Sequence, residues 1–191
     1  GSDAGIYTVT AAFSTESRDY ILPDNISATL KIEPKIVDLV WSGGEFVYDG
    51  GAKLPEAGFF DVMGAYRKVY VCGSATAAGD DYTATAVPYS ENYVFSNPTF
   101  QFLIKKADYD TTSVCWSESS FTYTGEVKEV TLENLPQGIS VVGYTDNRAK
   151  IVGKYSASAA ISYDDKNYNP PTIPSHSWEI LPAEYDLTGF C

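Results

Sequence analysis

Gly5-Ile-Tyr7-Thr-Val-Thr-Ala11, Gly79-Asp-Asp-Tyr82-Thr-Ala-Thr-Ala86 and Gly153-Lys-Tyr155-Ser-Ala-Ser-Ala159 are three copies of one block, a tyrosine followed by [Thr/Ser]-x-[Thr/Ser]-Ala. Within the block Tyr7, Val9 and Ala11 fall on one side of an extended chain, and Thr8 and Thr10 on the other. That is the period of two expected of a half-buried strand, and β-branched threonine fits it. Each copy is followed by an aromatic anchor, Tyr20, Tyr93 or Tyr168, and then by an apolar run closing at Ile32, Ile104 and Ile180. We refer to block, anchor and closing run together as a tail.

A second pattern, the head, occurs twice. Trp41-Ser-Gly-Gly-Glu-Phe46-Val-Tyr48-Asp-Gly50 with Lys53 matches Trp116-Ser-Glu-Ser-Ser-Phe121-Thr-Tyr123-Thr-Gly125 with Lys128. The offset from Trp41 to Trp116 is 75 residues, as is that from Tyr7 to Tyr82, and Tyr82 to Tyr155 is 73. A fixed period of this size is the mark of a repeat architecture. Glu33-Pro34 and Leu181-Pro182 follow closing runs, where proline ends a strand and opens a linker. The expected division is therefore the C-terminal half of a preceding repeat at 1–34, one domain at 35–108, a second at 109–184, and a stub of the next at 185–191. On this division the first repeat opens in its middle, and its head is expected upstream of residue 1.

Turn residues, including Gly43-Gly44, Gly50-Gly51, Asp80-Asp81, Pro136-Gln137-Gly138, Asp146-Asn147 and Asp164-Asp165, divide the runs at the spacing of short strands. No segment carries a helical stripe. The expected fold is all-β, as tandem small immunoglobulin-like β-sandwich repeats, with β-grasp-like sheets as the alternative. A unit of about 75 residues buries only some 60–65% of its unfolded surface, so large side chains must do much of the burying. The 15 tyrosines and 3 tryptophans of the 191 residues suit that need, and Trp41 and Trp116 are expected in or at the rim of each core.

The formal net charge is −12 and the longest basic runs are Arg67-Lys68 and Lys105-Lys106, which argues against nucleic acid and anionic membrane partners. No apolar run reaches the length of a spanning helix, so no membrane insertion is expected from this segment. Cys72, Cys115 and Cys191 make an odd count without CxxC spacing, hence neither a zinc ribbon nor a disulfide framework. Cys115, beside Trp116, reads as a buried small hydrophobe.

His176 is the single histidine, and any Ser/His or Cys/His mechanism would use it. It lies in an ordinary closing run whose counterparts lack histidine, so it reads as a solvent-facing strand residue. The acidic pairs Asp80-Asp81, Asp108-Tyr-Asp110 and Asp164-Asp165 offer oxygen ligands for calcium but lack EF-hand or nonapeptide spacing, and turn formation is the simpler reading. No cofactor is expected. Lys53 and Lys128 recur with Asn92 and Asn167, a pairing that would allow intramolecular isopeptide bonds. Asn25-Ile-Ser27 matches the glycosylation triplet.

Tyr48-Asp-Gly50 with Lys53, Tyr123-Thr-Gly125 with Lys128, the Gly-x-Tyr-[Thr/Ser]-x-[Thr/Ser]-Ala block and the Asn-Tyr anchors resemble the MBG or YDG-type domains of bacterial surface proteins. The resemblance covers nearly the whole chain. It departs at Gly79, which has an extra residue before Tyr82, at Asp19 in place of asparagine, and across 59–73, where the two domains differ. It implies non-catalytic stalk repeats of an extracellular bacterial surface protein or adhesin, whose partners are neighbouring repeats of the same chain. The alternative is an adhesive module in which Phe59, Phe60, Tyr66 or Tyr70 of the first full domain engages a host glycan or protein. No catalytic, cofactor or metal residue is assigned.

Overall fold

The computed structural model describes residues 2–185. It is all-β, with no helix among the described residues and several small sheets in a sandwich-like arrangement. The chain begins with a hairpin of β1 (Gly5–Ala11) and β2 (Ile26–Ile32). Then follow β3 (Lys35–Val37), β4 (Val40–Ser42), β5 (Glu45–Val47), β6 (Glu56–Phe60), β7 (Tyr66–Lys68), β8 (Tyr70–Cys72), β9 (Gly79–Val87), β10 (Tyr93–Phe95) and β11 (Thr99–Lys105). The remainder comprises β12 (Cys115–Trp116), β13 (Ser120–Thr122), β14 (Lys128–Glu129), β15 (Leu132–Glu133), β16 (Ser140–Thr145), β17 (Arg148–Ala149), β18 (Gly153–Ser162) and β19 (His176–Leu181).

Two compact units divide the chain: unit 1 holds 1–46 and 51–104, and unit 2 holds 47–50 and 105–191. The initial hairpin therefore counts with unit 1, where the Asn92 side chain accepts from Ala4 N and donates to Asp3. The short segment 47–50 counts with unit 2, where Tyr48 N donates to the Lys105 carbonyl and the Tyr48 ring meets Tyr168 edge-on at 5.4 Å.

Each unit is organised on a four-stranded sheet. In unit 1 the order is β5-β11-β9-β8, and in unit 2 it is β13-β19-β18-β16. The outer strand β13 runs parallel to β19, with Phe121 opposite Ile180, while β18 pairs antiparallel with both neighbours. Strands so far apart in sequence can pair in parallel because the rest of the unit serves as the crossover. Besides the initial hairpin, the smaller sheets are β4-β6-β7 and the parallel pair β3-β10 in unit 1, and β12-β15 with β14-β17 in unit 2.

Aromatic packing follows one plan in both units. Phe46 meets Phe102 edge-on at 5.9 Å and Tyr82 lies over Phe102 at 5.5 Å. In unit 2 Phe121 meets Trp178 edge-on at 5.8 Å and Tyr155 lies over Trp178 at 4.9 Å. Edge-to-face pairs at these distances add to the gain from burying the rings. Beneath them Ala84 and Ala157 are wholly buried, the small residue leaving room for the ring across the strand. Trp178, with Val130, Ala157 and Ile180, forms the centre of unit 2, while Trp41 and Trp116 are half-buried at the rim.

The block tyrosines share a further contact. The Tyr7 hydroxyl donates to the Asp3 carbonyl at 2.8 Å, Tyr82 to Ala77 at 2.9 Å, and Tyr155 to Ile151 at 2.6 Å. A tyrosine fixing the chain a few residues upstream of itself acts as a corner brace in sandwich folds. The extra residue between Gly79 and Tyr82 is taken up in a bulge, since Phe102 faces Tyr82 but Ile104 faces Gly79. The head glycines answer to backbone conformation: Gly50 and Gly125 have φ of +81° and +76°, and a Cβ at either would meet nothing within 4 Å. Left-handed backbone, not space, demands glycine there.

Candidate functional site

The least similar stretch of the two units, 59–73, forms the antiparallel hairpin of β6 and β7 with its turn at Asp61–Ala65. Strand alternation divides its aromatics. Phe59 points inward, 1% exposed, against Tyr93 at 4.9 Å and Phe95 at 6.0 Å. It is core, which removes it from the expected ligand-facing set. Phe60 points outward and meets its cross-strand partner Tyr66 at 5.5 Å, the two being 60% and 52% exposed. Tyr70 is exposed too but sits on β8 opposite Val87, in a different sheet. The structure thus joins Phe60 with Tyr66 and separates both from Phe59 and Tyr70.

Val62 and Met63, at the tip of the turn, are 71% and 88% exposed, and Val62 also lines a shallow depression with Ile32, Asn92 and Tyr93. Neither was expected from the sequence. A signal existed: the one methionine of the chain stands in a turn, between Asp61 and Gly64, where polar residues are the rule.

Asp61 holds this turn rigid. Its Oδ1 accepts from Met63 N and Ala65 N, each at 2.9 Å, and its Oδ2 receives Arg67 Nε at 2.8 Å. The Arg67 hydrogen bond, then those from the Ala65 and Met63 amides, hold the Asp61 carboxyl below its ordinary pKa. Tyr66 also lies across Gly58, where a Cβ would stand 2.4 Å from the ring. Close approach at Gly58 therefore seats the tyrosine, and the apolar tip is presented on a braced support.

His176 occupies in unit 2 the place of Phe100 in unit 1. Trp41 stacks on Phe100 at 5.2 Å and 8°, and Trp116 stacks on His176 at 5.4 Å and 8°. Both indole nitrogens donate to a backbone carbonyl just before the partner strand, Asn97 or Pro174. His176 Nε2 lies 2.6 Å from the Glu118 carbonyl, so that nitrogen is the donor. The residue expected to face solvent is instead a half-buried ring in an aromatic stack.

Cys115 also departs from expectation. Because Trp116 turns inward toward Tyr144 and His176, alternation turns Cys115 outward, where it is exposed and its sulfur accepts from Asn134 at 3.5 Å. Cys72 is half-buried, with Sγ donating to the Thr85 carbonyl. Cys191 and nearly all of the expected stub at 185–191 lie outside the described residues.

Two of the acidic pairs supply turn residues, whereas Asp80 and Asp81, expected to form a turn, lie inside β9, where they begin the strand that carries Tyr82. Asp164 accepts from the Lys166 and Asn167 amides and the Asn167 side chain, and Asp110 from Thr112 N and Oγ1. Asn167 and Thr112 respectively are the main reason that these carboxyls titrate low. Among the described residues no three His, Cys, Asp or Glu side chains gather as a metal-holding group. Of the groups expected to pair as lysine and asparagine, Lys128 has its Nζ 5.9 Å from the centre of the Phe121 ring, and Asn92 binds Asp3 and Ala4. In unit 2 the rings of Tyr48, Tyr109 and Tyr168 pack together, Tyr109 on Tyr168 at 4.1 Å, and burial raises the Tyr168 phenol pKa.

An open depression of about 580 Å³ lies on unit 2, lined by residues of β18 and β19, among them Lys154, Tyr155, Trp178 and Glu179, together with Ser119 and Ser120. No helix among the described residues is long and apolar enough to cross a membrane. No protein-family model matches the chain, and no curated protein matches it.

Proposed function

We propose that this chain is a run of non-catalytic structural repeats from an extracellular bacterial surface protein or adhesin, each repeat a spacer that carries other domains outward. The observation carrying this reading is the aromatic plan common to both units, Phe46/Phe102/Tyr82 and Phe121/Trp178/Tyr155, with the tyrosine brace at Tyr82 and Tyr155. The shared anchors are core aromatics and turn glycines, the groups a module needs to stand as a unit, rather than convergent acids, bases or nucleophiles. Stability in such arrays is roughly a sum over units and neighbour contacts. Small-angle scattering tests the proposal. A single compact body of this length has a radius of gyration of about 16 Å, and a spacer requires a value well above it. A measurement at the compact value rules the spacer reading out.

The exposed hairpin tip favours a second reading, adhesion to a host glycan or protein through unit 1. Phe60 and Tyr66 pair on the outer face of the hairpin, and its braced turn exposes Val62 and Met63. Aromatics so presented suit stacking on a sugar face or burial in a protein interface. A glycan array probed with the wild-type chain and with Phe60→Ser/Met63→Ser separates the two readings. Wild-type signal lost in the variant supports adhesion, and no signal for either retires glycan binding.

A further inference from the structure

The hairpin of β1 and β2 repeats the face of β18 and β19 without its cover. Its apolar side pairs Gly5 with Ile32, Tyr7 with Leu30, Val9 with Ala28 and Ala11 with Ile26. The corresponding pairs in unit 2 are Gly153 with Ile180, Tyr155 with Trp178 and Ala157 with His176. There the face is closed by the parallel strand β13, whose Phe121 packs on Trp178, and by Val130, Trp116 and Ala149. On the hairpin the same positions are open: Val9 is 53% and Leu30 45% exposed, and among the described residues β2 pairs only with β1.

We infer that the outer edge of β2 is an acceptor for an extended segment of the head pattern, Phe-x-Tyr-x-Gly, added parallel to the edge. Its phenylalanine sits opposite Ile32 and against Leu30. The occupant follows from what this chain places on the two corresponding edges. In unit 2 Ser120, Phe121 and Thr122 face Glu179, Ile180 and Leu181, with Glu179 N donating to the Ser119 carbonyl and Tyr123 N to that of Leu181. In unit 1 Leu103 N donates to Gly44 and Phe46 packs on Phe102 in the same manner. Carried onto the hairpin, this register makes Lys31 N the donor and the Glu33 carbonyl the acceptor. Strand addition draws affinity from such backbone bonds and selectivity from the side-chain seat, here the exposed side of Leu30 away from its partner Tyr7, next to Ile32.

The probe is a synthetic peptide of residues 116–128, titrated into the full chain, with hydrogen exchange read along the sequence. The inference expects saturable binding, a slowed Lys31 amide, and at least about tenfold weaker binding for the peptide carrying Phe121→Ala, a control that needs no refolding of the protein. Leu30→Asp in the full chain abolishes the interaction. Absence of binding at about 1 mM peptide overturns the inference. So does protection gained at 176–181 in place of 29–33, which would mean exchange into unit 2.

Discussion

Tyr155 and Trp178 face each other across β18 and β19 with their rings 4.9 Å apart, and Phe121 meets the far side of the indole edge-on. Trp178 is 2% exposed, so the core of unit 2 is built around this one ring. Removing it leaves a cavity that its neighbours cannot fill.

Trp178→Ala is therefore expected to destabilise unit 2 by about 3–5 kcal/mol, whereas Trp178→Phe, the residue that unit 1 carries as Phe102, should cost markedly less. Urea titration followed by far-ultraviolet circular dichroism checks both. Equal losses for the two variants would mean that ring volume is not what holds the unit.

The tyrosine brace predicts a smaller and matched effect. Tyr155→Phe and Tyr82→Phe remove the bonds to the Ile151 and Ala77 carbonyls while keeping the rings. Each is expected to cost about 0.5–1.5 kcal/mol in thermal or chemical unfolding. A neutral result at one position and a loss at the other would break the correspondence between the two.

Alternation on β6 sets apart two neighbouring phenylalanines. Phe59→Ala should destabilise unit 1 by about 3–5 kcal/mol, while Phe60→Ser and Met63→Ser should stay within about 0.5 kcal/mol of wild type. Denaturation midpoints of the three variants decide whether the tip is surface or support.

The Asp61 turn gives a pH dependence of known sign. Its carboxyl titrates below the unfolded value, through the Arg67 bond first and then the Ala65 and Met63 amides. The unfolded chain therefore binds the proton more readily, and the turn's contribution is present above the unfolded pKa near 3.8 and lost as pH falls through the lower folded value. Hydrogen exchange at the Met63 and Ala65 amides, corrected for the intrinsic pH effect, should show protection falling only at that acidic end. In Asp61→Asn the same amides should show no such step.

Thiol labelling of the native chain, mapped by mass spectrometry, should modify Cys115 faster than Cys72, because the first is exposed and the second half-buried against Thr85. The reverse order would place Trp116 outside the stack it forms with His176.

Much of the fold was legible because strand periodicity and turn chemistry are local. Tyr155-Ser-Ala-Ser-Ala159 announces its two faces through alternation alone, and Gly50 and Gly125 announce turns because a left-handed backbone admits few other residues. The candidate surface was read only in part. Phe59 and Phe60 are identical in composition and adjacent in sequence, and nothing local says which of them turns inward.

By itself, the order of residues determined an all-β chain, its period and its turn glycines, since these depend on local alternation, spacing and backbone conformation. Tertiary structure alone decided that β13 lies parallel to β19, that Trp178 is the centre of a core with Trp116 at its rim, that Cys115 faces out, and that β1 and β2 stand uncovered. Each of these rests on which distant strand occupies an edge or a face, and strand pairing is selected by burial across the whole unit rather than by local preference.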